Sequence, residues 1–155
     1  GIAAGAFVWV GGSMYQSRHE ERRGTSTRRA DSVLGLLILA AGITIITVPV
    51  LSTVILVFDA IIGWIIGGFG MGLAYNASTA ETFSETEPEA IGQMSGTIQM
   101  AQTLGTAIIA GVGTAILSAL QRAGESPTAG IGTLFALTIA FALAAIPLAL
   151  RIRRR

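Results

Sequence analysis

Apolar residues run almost unbroken through four stretches of this 155-residue chain, Ser32 to Leu51, Ser52 to Ala80, Ala90 to Gln121 and Ser126 to Leu150, with short polar segments between them. A bilayer core of about 30 Å is crossed by roughly 20 mostly apolar helical residues, and each stretch reaches that length. The pattern predicts an all-α integral membrane protein, a polytopic helical bundle. Gly1 to Tyr15 adds a fifth apolar segment that opens in mid-helix, without the basic leader of a signal peptide. The chain therefore reads as a piece of something larger, with helices expected at approximately residues 1–15, 33–50, 54–76, 88–120 and 131–150.

Local signals set the expected ends. Gln16 to Asp31 is too charged to enter lipid and reads as a loop, with Asp31 or Ser32 capping the second helix and Pro49 closing it. The third helix contains Gly63, Gly67, Gly68, Gly70 and Gly72. The pairs Gly63/Gly67 and Gly68/Gly72 are four apart and predict a groove that admits another helix backbone. Asn76 is expected as a cap at the inner end of that helix. Thr86 and Glu89 have capping-box spacing around Pro88, which starts the fourth helix near Glu87. Ser126 and Pro127 form a turn or cap before the fifth helix, and Pro147 is expected to bend its last turn.

Composition agrees with a membrane protein: 52% of residues are hydrophobic and 12% charged, and the mean hydropathy is +0.68. A net charge of +1 leaves no electrostatic footprint for nucleic acid. The arginines are polarised. Arg18, Arg22, Arg23, Arg28 and Arg29 lie in the first loop and Arg151, Arg153, Arg154 and Arg155 at the C-terminus. The positive-inside rule makes that face cytoplasmic, with the C-terminus inside, and the use of Arg without Lys beside abundant Ala and Gly suggests a GC-rich bacterial source, hence a multi-pass protein of a bacterial inner (plasma) membrane. Arg18, Arg28 and Arg29 serve as a topology signal, or else as part of a cytoplasmic gate or an anionic-lipid site. The chain contains no Cys and one histidine, His19, set among loop charges, so no metal centre, hydrolytic triad or enzyme activity is expected. No cofactor motif appears either: Gly68 to Gly72 lacks the strand of a dinucleotide fingerprint, and there is no Lys for a phosphate loop.

Candidate chemistry is concentrated in the fourth segment. Ser95, Gln99, Gln102, Thr103 and Thr106 fall along one side of a 3.6-residue helix. Intramembrane amides need partners or water, so this face points to a hydrated cavity or to interhelical hydrogen bonding. Asp59 is the carboxylate inside a predicted span. Desolvation favours the protonated form of such a group, so it reads as a proton or cation site, or alternatively as an interfacial residue or the partner of an arginine elsewhere.

The runs GGFGMGLAYNAS from Gly67 and EAIGQMSGTIQMAQTLGTAIIAGVGTAI from Glu89 resemble the late C-terminal half of major facilitator superfamily transporters, especially bacterial drug:proton antiporters. The matching positions are Gly68, Gly70, Gly72, Gly92, Ser95, Leu104 and Gly105. Gly12 to Arg18 looks like the helix end and loop between the eighth and ninth helices of that family, although the acidic residue of its loop motif is absent and Asn76 stands where many relatives have proline. The resemblance implies the last five helices of a larger transporter, with the first, third and fourth segments lining a central cavity. It implies proton-coupled export of a small organic molecule, with the lipid bilayer, the substrate and the missing N-terminal half as partners. On this reading Asp59, Gln99, Gln102, Thr103, Thr106 and Ser95 are pathway candidates, while Gly105 joins the other glycines in helix packing. The rival reading is a small non-catalytic polytopic subunit acting as a structural or assembly partner.

Overall fold

The computed structural model describes residues 2–51 and 57–151, with no side-chain account for 2–4 and 57. Within those residues the regular elements are all helical. They are α1 (Ile2–Arg23), α2 (Arg28–Leu51), α3 (Val57–Ser84), α4 (Ile91–Arg122) and α5 (Pro127–Ala149), with 3-10 turns at Thr25–Thr27 and Pro88–Ala90. Four helical stretches, Thr25–Leu51, Phe58–Ser84, Pro88–Arg122 and Pro127–Ala149, are long and apolar enough to cross a membrane. The fold is thus an all-α bundle of membrane-spanning helices. The fifth apolar segment forms the first half of α1, whose second half is polar.

α3 is the central element, packed against α1 on one side and α2 on the other, while α5 covers α2 and α4 leans mainly on α5. Glycine explains how α3 serves two partners. A Cβ on Gly70 would lie 2.5 Å from Leu39 N and 2.6 Å from Gly35 O of α2, and one on Gly68 would lie 2.5 Å from Gly5 O of α1. Gly63 likewise meets α2 at Gly42, and Gly72 meets α1 at Trp9. The helix backbones therefore touch directly, which in lipid gives dispersion contacts that larger side chains would block. Gly35 and Gly42 on α2 and Gly5 and Gly12 on α1 supply the other half of each seam. Both pairs are spaced by seven, two helical turns apart. Gly105 is different, since a Cβ there meets nothing within 4 Å.

Several helix ends depart from the sequence expectation. The loop expected over Gln16 to Asp31 contracts to a connection at Gly24–Thr27: α1 continues to Arg23 and α2 begins at Arg28. Arg18, Arg28 and Arg29 are consequently helical, and Asp31 and Ser32 lie buried inside α2 rather than capping it. Side-chain pairing across the helices holds this charged segment in place, as described below. Gly24, with φ of 82°, ends α1 while its N–H donates to Glu20 O at 2.7 Å. α3 passes Asn76 and runs on to Ser84, so Asn76 is not a cap. Pro49 falls within the last turn of α2 rather than closing it, and the helix extends to Leu51.

The capping box at Thr86 does not form. Its Oγ1 donates to Thr82 O at 2.7 Å, and a 3-10 turn over Pro88–Ala90 precedes the regular part of α4 at Ile91. α4 closes in a Schellman motif at Gly124, whose φ is 79°, with Glu125 N donating to Leu120 O. Ser126 Oγ accepts from Ala129 N at 3.2 Å, so α5 starts at Pro127 rather than at Ile131. Most of the turn expected near Leu51 to Thr53 and the expected start of the third helix near Val54 lie outside the described residues.

Candidate functional site

The polar half of α1 faces the N-terminal end of α2 and the C-terminal end of α3, and it carries side chains that a lipid-exposed helix could not hold. Gln16 is fully buried. It accepts from Asn76 Nδ2 at 2.5 Å and donates to Glu20 Oε2 at 2.9 Å. Asn76 also donates to Ser17 Oγ and to the Ser13 carbonyl. Arg28 completes the chain of contacts, donating from Nε and Nη2 to Glu20 Oε1 and from Nη1 to Glu81 Oε2 at 3.0 Å and Ser84 Oγ at 2.6 Å. One guanidinium thus ties α1, α2 and α3 together. Hydrogen bonding from Arg28 holds the Glu20 carboxyl below its ordinary range, against the opposing effect of burial.

His19 is not an isolated loop residue. Its Nδ1 lies 3.2 Å from Asp31 Oδ1, and its ring stacks on Tyr15 with centroids 5.7 Å apart. Among the described residues no group of three or more His, Cys, Asp or Glu side chains is placed to hold a metal ion.

Beside this network a cleft of about 570 Å³ opens between α1 and α3, lined by Trp9, Val10, Ser13, Met14, Ser17, Arg18, Glu21, Tyr75 and Asn76. Trp9 and Tyr75 meet edge to face, with ring centroids 6.0 Å apart. The Tyr75 hydroxyl accepts from Gln102 Nε2 at 2.7 Å, which connects the cleft to α4. The cleft combines aromatic faces, a soft thioether and amide and hydroxyl groups. Such a surface suits an aromatic organic molecule with a few polar atoms.

Of the five polar positions predicted on α4, Gln102 alone is half-buried; Ser95, Gln99, Thr103 and Thr106 are exposed. Thr103 donates to the carbonyl of Gln99 in its own helix at 2.9 Å. The inward face at this end of α4 is instead formed by Met94, Ile98 and Gln102, adjacent to the stripe and sharing Gln102 with it. Asp59 lies in the first turn of α3, half-buried. Sixteen residues of helix place it roughly 24 Å along the axis from Tyr75. The structure does not bring Asp59 and Gln102 together.

Trp9, Tyr75 and Gln16 were passed over by the sequence reading. A buried amide at Gln16, in a segment taken for a loop, becomes conspicuous only once α1 is known to continue past it. No protein-family model, curated protein or solved structure matches the chain.

Proposed function

We propose that this chain is the C-terminal part of a secondary active transporter of the major facilitator type, exporting a small organic molecule by proton-coupled alternating access. The observation that carries the reading is the α4 stripe. Ser95, Gln99, Thr103 and Thr106 are exposed on a helix long and apolar enough to span the bilayer, while Gln102 reaches back to Tyr75 at the edge of an aromatic cleft. Uncompensated amides facing hydrocarbon cost several kcal/mol by order of magnitude, so the stripe calls for a facing surface or water. A second helical half that rocks against this one supplies both, and the midplane cavity between the halves becomes the substrate path. The resemblance of the glycine-rich α3 and of α4 to bacterial drug:proton antiporters supports the same reading.

The test is made on the full-length protein in proteoliposomes with an imposed pH gradient. Candidate aromatic cations are screened for flux, and Gln99→Ala with Gln102→Ala is compared with the parent. Transport is expected to fall more than expression. Equal loss of both makes the stripe a packing feature, and a reading frame without further spans ahead of Gly1 replaces the transporter with a structural or assembly subunit.

A further inference from the structure

A second cavity, of about 460 Å³, lies between α2, α3 and α5 and contains none of the α4 stripe. Leu36, Met71 and Leu148 form part of its apolar lining, and Ser32, Ser78, Glu81 and Thr82 are polar residues of its wall. Ser32 is 2% exposed, and its Oγ is a buried side-chain oxygen without a hydrogen-bond partner among the described residues. An unsatisfied buried hydroxyl costs about 1–3 kcal/mol, which a ligand atom placed in the cavity would recover.

The remaining oxygens define what that ligand must offer. The Ser78 hydroxyl proton is donated to the Ala74 carbonyl at 2.8 Å and that of Thr82 to the Ser78 carbonyl at 2.9 Å, so both oxygens are left as acceptors. Arg28 engages Glu81 through Oε2, leaving Oε1 as an acceptor. The same guanidinium also serves Glu20, so one positive charge faces two carboxylates and the group carries a net charge of about −1. No cationic side chain lines the cavity among the described residues.

We propose that this cavity binds a soluble amphipathic primary amine. A primary ammonium carries one positive charge and three N–H donors, matching Glu81 Oε1, Ser32 Oγ and one of the Ser78 and Thr82 hydroxyl oxygens. Its apolar arm lies along Leu36, Met71 and Leu148. Aminophospholipids share the ammonium but bring a phosphate, for which the cavity has no cation among the described residues. The assignment extends beyond the transport reading and does not depend on it.

The experiment uses full-length protein in phosphatidylcholine nanodiscs, titrated calorimetrically with n-octylammonium and with octyltrimethylammonium, which has the same charge and no N–H donor. The primary amine is expected to bind about tenfold more tightly than the quaternary one, and Ser32→Ala to weaken it by about tenfold without lowering the melting temperature. Equal binding of the two cations, or octylammonium affinity unchanged by Ser32→Ala, overturns the proposal. Glu81→Gln is expected to weaken binding further; because it also disturbs Arg28, the Ser32 variant decides if Glu81→Gln fails to fold. Discs containing phosphatidylethanolamine are expected to leave octylammonium binding unchanged, and competitive displacement there overturns the soluble amine in favour of a lipid headgroup.

Discussion

Arg28 Nη1 donates to Glu81 Oε2 at 3.0 Å across 53 residues of sequence, and the same guanidinium holds Glu20, so a single buried side chain joins one end of each of three helices. The two carboxylates are only 19% and 17% exposed and would repel each other without it. Arg28→Ala is therefore expected to destabilise the bundle by about 3 kcal/mol, the cost typical of stranding one side of a buried ion pair. Arg28→Lys should fall between, since an ammonium lacks the fork that reaches Glu20, Glu81 and Ser84 together. Thermal unfolding of the detergent-solubilised protein measures both, and a melting temperature unchanged in Arg28→Ala would falsify the assignment.

Glu20 gives the same network a pH dependence. Its folded carboxyl is held low by hydrogen bonding from Arg28, so the folded state binds a proton less readily than the unfolded chain. The stabilisation is complete above the ordinary glutamate range and is lost as pH falls through the depressed folded value. Partial solvent exposure keeps the effect modest. Unfolding measured from neutral pH into acid should show stability falling below the ordinary glutamate range, with a shallower decline in Glu20→Gln; identical profiles would remove Glu20 from the account.

The glycine seams predict different outcomes for neighbouring positions. A Cβ on Gly67 meets only Leu39 Cδ1, at an ordinary 3.8 Å, whereas one on Gly70 runs into α2 backbone and one on Gly12 lies 2.5 Å from Phe69 O. Gly67→Ala should be close to neutral. Gly70→Ala and Gly12→Ala should each cost about 1–3 kcal/mol, because backbone must move to admit the methyl. Three melting curves test this ordering, and it fails if Gly67→Ala is the most damaging of the three.

The membrane helices were legible because length and hydropathy alone specify a span, and the α3 glycines were legible because four-residue spacing places them on one face. Gly35 with Gly42, and Gly5 with Gly12, were not paired with them, since which helices neighbour α3 is a tertiary fact. The charged stretch from Gln16 to Asp31 was misread for a related reason. Charges argue for a loop when taken singly, but Gln16, Glu20, Arg28 and Asp31 find partners on other helices and remain helical. On α4 the sequence marked the polar stripe and could not show that only Gln102 turns inward, because that choice is made by Tyr75, 27 residues earlier.

That contact separates two roles the sequence had joined. Tyr75→Phe keeps the ring that meets Trp9 edge to face and removes the oxygen that accepts from Gln102. If the α1–α3 cleft is part of the substrate path, Tyr75→Phe and Gln102→Ala should each reduce flux by about tenfold through loss of one positioned hydrogen bond, leaving expression and the direction of coupling unchanged. Asp59 lies roughly 24 Å away along α3 and shares no contact with that pair. Asp59→Asn should therefore weaken the response to a pH gradient while substrate affinity at the cleft stays the same. Flux in proteoliposomes at several gradients, set beside equilibrium binding, distinguishes these outcomes: unchanged gradient dependence in Asp59→Asn makes that residue an interfacial acid, and reduced affinity in the same variant means that the two regions are coupled.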